Sequence, residues 1–422
     1  MASINVIGNK PLQGEVEISG SVNSALKLII SSLYTTEDVY LSNIPDVPFL
    51  EKELSIIREL GGSYEWISKN FLKINNSKLS NHKIPLLLGK DLFTSFLFAG
   101  PLLYRFGEVQ IPIPTTGVDS IMRFISTWSM LNIEINYDRD FIYLRSDNSR
   151  PGRIELEKPS QMDTANAILS SIFLNGETTI INSSEDYEID DLINFLISIG
   201  AEIKKENKKV LKIIGKDHFR SSNFSCVSEV SEVVFFSVLS LVTNGNILIK
   251  NIDKRNINFF ISLLNKIGAS FEFISDDSLR IWRRLERLSS FDLDLNGYPS
   301  SIYNYLPYLV FLALKCEGTS KFVGESFKDK FDFIFVLNKF NAKIKMYDTG
   351  KDYEPVEIYI NGIADLKMDS FEIQNYVNSP IILMTALTLD SKVEILESEK
   401  IEYIYENLIQ KVVELGGQIK YD

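Results

Sequence analysis

The chain has 422 residues, enough for two or three domains at roughly 150 residues each, or for one repeated architecture. Hydrophobic residues make up 45% and charged residues 24%, which excludes a disordered or collagen-like chain. With 44 basic against 56 acidic residues and a net charge of −12, it lacks the surplus of Lys and Arg that phosphate neutralisation needs; nucleic acid is not an expected partner.

The opening MASINVIGNK has no charged segment leading into an apolar one, so no secretion signal is visible. Apolar stretches such as YLPYLVFLAL fall short of the roughly 20 residues of a membrane span. The expectation is a soluble, cytoplasmic protein with no membrane partner. Cys226 and Cys316 are too few for a disulfide framework or a four-thiolate zinc site. His82 and His218 lie in polar contexts (SNHKIP, GKDHFRSS) and read as surface residues, which disfavours histidine-centred catalysis.

Along the chain a helix-to-strand junction recurs. It appears as RELGGSYEW at Gly62, SMLNIEINY at Asn132, SIGAEIKK at Ala201, NKIGASFEF at Ala269, NKFNAKIKM at Ala342 and ELGGQIKYD at Gly417. The successive spacings are 70, 69, 68, 73 and 75 residues. Each junction is preceded by a turn and a strand: DVYLSNIP, GEVQIPIP, GETTIINS, GNILIKNI, GTSKFVGE and SKVEILES in chain order. A unit therefore reads as strand, polar turn, amphipathic helix, glycine-type cap and strand, as in INFLISIGAEIKK around Gly200. A period near 70 exceeds the roughly 20–50 residues of solenoid repeats. The pattern predicts an α/β (α+β) protein of six pseudo-repeats, grouped three and three into two domains.

Four segments carry a resemblance: GEVEISGSVNSALKLIISSLYTTEDVYLSNIPDV, GPLLYRFGEVQIP, SEDYEIDDLINFLISIGAEI and EYIYENLIQKVVELGGQI. They resemble the enolpyruvyl transferase family, on its nucleotide-sugar branch, and the likeness covers nearly the whole chain. It implies two inside-out α/β barrels, a first domain at 21–226 and a second at 1–20 plus 227–422, with a ligand cleft between them. The family reaction adds a sugar hydroxyl to phosphoenolpyruvate. Its site therefore needs cations for a phosphate and a carboxylate, an acid for the methylene and a base for the hydroxyl.

The resemblance can be followed position by position. The family's first-helix lysine falls on Val22, beside a retained Asn23, and an arginine before GPLLYRFG falls on Phe93. The loop that should carry a catalytic cysteine and a second arginine is reduced to Thr115, Thr116 and Gly117 after Pro114. A further arginine falls on Val230, between Glu229 and Glu232, and the aspartate base falls on Asn304. Another arginine becomes Lys330, an aspartate–leucine–arginine motif reads Asn375, Tyr376 and Val377, and the last arginine falls on Tyr403. Each charge-assisted contact to an anion contributes about 1.5–3 kcal/mol, so losing even five of these six cations removes of order 7–15 kcal/mol of phosphoenolpyruvate binding.

The nucleotide-sugar side keeps more. Asn23, Asp119, Ser160 and Thr164 match its contacts, with Asn304 and Lys330 completing the candidate substrate-binding set; Met162 replaces a glycine. Ser160, Asp119 and Asn23 also have a plain reading as helix-start residues. Lys330, Glu188, Glu229, Glu232 and Glu372 are the ionisable side chains that the resemblance places near the cleft. The arginines of LRIWRRLERL read as a solvated stretch, and Tyr298, Tyr303, Tyr305 and Tyr308 as either a packed junction or a stacking surface. The resulting expectation is a family member that binds a hydroxylated or nucleotide-linked small molecule, or a protein partner, without standard carboxyvinyl transfer. An altered transferase of a specialised pathway is the alternative, and no cofactor or metal is required.

Overall fold

The six junctions share one backbone device. Gly61, Asn132, Gly200, Gly268, Asn341 and Gly416 all adopt positive φ, between 55° and 112°, at the end of an amphipathic helix. Glycine and asparagine tolerate this left-handed geometry, which lets the chain leave the helix and start a strand. In the computed structural model the described residues are 2–115, 118–283, 287–325, 330–348 and 354–421, with side chains omitted at 118–120 and 297.

The chain divides into two units, a continuous one at Gly20–Val227 and a split one formed by Met1–Ser19 and Ser228–Asp422. The continuous unit holds three sheets, two of four strands and one of three. The pattern of the first is general. Val39–Ser42, Phe71–Asn75 and Ser63–Ser68 form an antiparallel trio, and Ser222–Ser225 adds a parallel strand from far along the chain. In the second sheet that parallel strand shrinks to a single bridge, Lys83 to Gln110.

The split unit holds three four-stranded sheets. In the last of them the trio is not sequential. Ser3–Ile7 sits between Lys392–Leu396 and Gln418–Tyr421, antiparallel to both. The sixth copy of the repeat is thus completed by the first strand of the chain, and is not contained in its own segment as the junction spacing predicts. Insertion covers two strand edges that would otherwise stand open.

Two helix types fill each unit. Val230–Val242, Ile302–Lys315 and Ser379–Thr388 are buried on nearly all sides and apolar throughout, as interior helices must be. Pro48–Glu59, Asn258–Ile267 and Leu408–Glu414 bury one stripe only. The GPLLYRFG motif has a packing cause. A Cβ on Gly100 would lie 2.3 Å from the Leu169 carbonyl oxygen, so only glycine lets helix Ala99–Phe106 approach helix Gln161–Ser171.

Candidate functional site

In the continuous unit the helices Val22–Ser31, Gln161–Ser171 and Tyr187–Ser198 begin close to one another, around a lysine that the sequence reading passed over. Lys27 is 1% exposed. Its ammonium donates to the Asn23 carbonyl at 2.7 Å and to Gln161 Oε1 at 3.1 Å. Burial pushes its pKa down, opposed by the charges of Glu188, Asp186 and Asp191. Asp191 accepts from the Ser24 hydroxyl and from the Val227 N–H at 3.2 Å. Burial pushes the Asp191 carboxyl up, against these hydrogen bonds and Lys27. The charges of three carboxylates thus act on one ammonium, whose hydrogen bonds go inward.

The structure joins Asn23 to the Ser160–Gln161 turn through Lys27. Asn23 is the second residue of its helix, whose N-cap is Ser21. Ser160 caps the next helix, its hydroxyl accepting from Asp163 N–H at 3.3 Å, which is the plain reading of that residue. Thr164 is 0% exposed, and its hydroxyl accepts from Ser184 N–H at 2.9 Å, a partner within the unit's own framework. The side chain of Asp119, and residues 116 and 117 of the shortened loop, lie outside the described residues. Phe93 stacks on Phe124 with ring centroids 5.2 Å apart.

In the split unit Lys330 donates to Asn304 Oδ1 at 3.4 Å, bringing together two predicted substrate-binding residues. An amide at 304 accepts and donates hydrogen bonds but has no useful basicity. Val230 is buried at 4% exposure, behind the Glu229 N-cap. Glu232, fully buried, accepts from the Ser19 N–H at 2.9 Å and pairs with Lys411, whose ammonium also reaches Ser19 Oγ at 2.7 Å. Burial pushes Glu232 up, and Lys411 draws it back. Tyr376 and Tyr403 form a tilted ring pair with centroids 4.4 Å apart. Glu372 is exposed.

A chain of hydroxyls connects three elements of this unit. Ser231 donates to Glu229 Oε1 at 2.7 Å, Tyr405 and Ser231 are 2.9 Å apart, and Tyr308 and Tyr405 are 2.9 Å apart. With Ser231 committed to the carboxylate, Tyr405 donates to Ser231 and Tyr308 to Tyr405. Burial pushes both phenols up, so they stay protonated. Replacing Tyr405 by Phe is expected to lower unfolding stability in urea by about 1–3 kcal/mol, since it strands a buried donor and a buried acceptor. An unchanged midpoint would dissolve the chain.

The tyrosine tract resolves into packing. Tyr303, Tyr305 and Tyr308 are all buried, and Tyr298 rests on Phe259 with centroids 4.2 Å apart; this favours the packed junction over a stacking surface. Arg287 pairs with Glu317 at 2.7 Å on an exposed edge. His218 is exposed, whereas His82 is half-buried between Glu108, at 3.5 Å, and the Phe106 ring. Among the described residues no helix is long and apolar enough to cross a membrane.

The family model of EPSP synthase (3-phosphoshikimate 1-carboxyvinyltransferase) matches residues 6–412. The UDP-N-acetylglucosamine 1-carboxyvinyltransferase of Finegoldia magna is 27% identical over 100% of this chain and 99% of that protein. UDP-N-acetylglucosamine 1-carboxyvinyltransferase 3 of Caldanaerobacter subterraneus is 26% identical, covering 99% of each chain. Among solved structures, the enolpyruvyl transferase NikO from Streptomyces tendae superposes with a TM-score of 0.87 at 16% identity, covering 100% of this chain and 99% of that one. EPSP synthase from Acinetobacter baumannii gives 0.78 at 14% identity, covering both chains fully. These structures share the two-domain enolpyruvyl transferase fold. On the span of the family model, the chain belongs to the EPSP synthase family of enolpyruvyl transferases.

Proposed function

We propose that this family member binds a hydroxylated or nucleotide-linked small molecule without carrying out carboxyvinyl transfer from phosphoenolpyruvate. The observation that carries the reading is what occupies the positions that the resemblance assigns to cations. Val230 is buried, Tyr403 is packed against Tyr376, and Phe93 is stacked on Phe124. None of these side chains can neutralise a phosphate or a carboxylate. Lys27 adds no free cation, because its ammonium is buried, donates to two acceptors inside the unit and is opposed by the charges of three buried carboxylates. Asn304, paired with Lys330, supports the loss of the base. What persists is polar in each unit taken by itself: Asn23 and Ser160 in the continuous unit, and Asn304 with Lys330 in the split one, side chains suited to hydroxyls.

Incubation with UDP-N-acetylglucosamine and phosphoenolpyruvate is expected to release no phosphate above the no-enzyme rate. Release at a catalytic rate would show an active UDP-N-acetylglucosamine 1-carboxyvinyltransferase and end this reading. Binding is tested separately by thermal unfolding with the nucleotide sugar alone. A ligand at 100 times its Kd stabilises by about 2.7 kcal/mol, so a saturable rise is the expected result.

A further inference from the structure

We propose that Asn175 is a self-modification site, where the chain converts an asparagine to aspartate and isoaspartate through a cyclic imide. Four Asn–Gly steps occur in the sequence, at Asn175, Asn244, Asn296 and Asn361. In such a step the glycine nitrogen can attack the side-chain carbonyl carbon of the asparagine before it, because glycine has no Cβ to obstruct the approach. The fold leaves one of the four open.

The reaction needs an uncommitted glycine nitrogen and an asparagine side chain that can swing over it. At Asn244 the Gly245 N–H donates to the Ser240 carbonyl at 2.7 Å, which ties the turn to the end of helix Val230–Val242. At Asn361 the Gly362 N–H donates to the Gly318 carbonyl at 2.9 Å, and Asn361 Oδ1 accepts from the Thr319 hydroxyl at 3.2 Å. A Cβ on Gly362 would lie 1.8 Å from the Cys316 carbonyl oxygen, so that turn has no room to rearrange. Asn296 sits in the 3-10 turn Leu295–Gly297, its own N–H donating to Asp294 Oδ1 at 3.0 Å. Helical backbone tilts each side chain towards the N-terminus, away from the nitrogen that follows.

Asn175 differs on each count. It is exposed, and neither its side-chain amide nor the Gly176 N–H has a hydrogen-bond partner among the described residues. Gly176 has φ 126° and uses its carbonyl, not its nitrogen, to accept from Gly215 N–H at 3.0 Å. The turn is therefore anchored through an oxygen while the reacting nitrogen stays free. In the step itself the Gly176 nitrogen bonds to Asn175 Cγ, the Cγ–Nδ2 bond breaks, and the proton of the Gly176 N–H leaves with Nδ2 as ammonia. Water then opens the five-membered imide at either carbonyl, giving aspartate or isoaspartate; nothing else is consumed. The product places a new carboxylate beside Glu177, where strand Glu177–Ile181 begins.

The test incubates the native full chain at pH 8 and follows its peptides by mass spectrometry, with released ammonia as a second readout. Conversion at Asn175 is expected to run at least about tenfold ahead of Asn244, Asn296 and Asn361. A bonded nitrogen reacts only after local opening, and about 1.4 kcal/mol of opening already accounts for that factor. In urea the same dipeptide stands free at all four positions, and the four rates should converge. Asn175→Ser should remove the fast phase of ammonia release from the folded protein. Equal rates at the four positions in the native chain overturn the proposal, as does an Asn175 that stays intact while another converts. An Asn175 that runs equally far ahead in urea overturns it too, because its neighbours in sequence, and not the fold, then set the rate.

Discussion

Replacing Lys27 by Met is expected to destabilise the protein by about 3–5 kcal/mol at pH 8, the usual cost of removing one partner of a buried charge set. The methionine fits the volume, so packing is not the cause. What remains is Glu188, Asp186 and Asp191 with no ammonium among them, in a region where Glu188 is 0% exposed. Stripped of the cation, the Asp191 carboxyl, which burial already pushes up and Lys27 draws down, favours its neutral form in the fold, so its folded pKa rises further above the unfolded one. Stability that depends on such protons is present at low pH and is lost as pH rises. The deficit of the variant should therefore shrink on acidification towards pH 5 and widen towards pH 8. Urea unfolding at both pH values measures it. A loss below about 1 kcal/mol at pH 8 would show that the ammonium is not the counter-charge of the cluster.

Glu53 gives the second large effect, with the opposite benefit. It lies on helix Pro48–Glu59 at 0% exposure, receives the Thr94 hydroxyl on Oε1, and has no hydrogen-bond partner for Oε2 among the described residues. Burial pushes its carboxyl up to about 7 from an ordinary value of 4.5. Because the folded value is the higher one, the contribution is fully present below pH 4.5 and is lost as pH rises through 7. At about 1.36 kcal/mol per pH unit, the loss approaches ~3 kcal/mol. Glu53→Gln keeps the shape and the Thr94 contact but cannot ionise. The stability difference between variant and native protein should grow in the variant's favour from pH 5 to pH 7.5 and then level off. Parallel profiles for the two proteins across that range would refute it.

What the sequence disclosed and what it hid divide along sequence separation. The repeat was readable because its signal is local: a helix end, a residue with positive φ such as Gly200 or Asn341, and a strand within a few positions. GPLLYRFG was readable for a similar reason, since Gly100 and Gly107 are fixed by close approach and by a left-handed turn. The order of strands in the last sheet was not. Pairing Val6 with Val393 and with Ile419 depends on contacts nearly the whole chain apart, and nothing next to Val6 announces it. Lys27 was missed because one lysine in SALKLIISS reads as a charge that reaches water along its stem. Its burial follows from helices that begin more than 130 residues later. The links from Tyr405 to Ser231 and Tyr308 bridge separations of 174 and 97 residues, so no motif window contains them.

The insertion of Ser3–Ile7 into the last sheet has a consequence for biosynthesis. The segment Gly20–Val227 is contiguous and can acquire its structure while still emerging from the ribosome. Ser3–Ile7 cannot, since the strands that flank it are made last, beginning at Lys392. At the usual 5–20 residues per second, the N-terminal strand waits about 20–80 s with both edges bare. Throughout that interval it is a sticky ribbon, and this strand is a segment that holdase chaperones have reason to engage during synthesis.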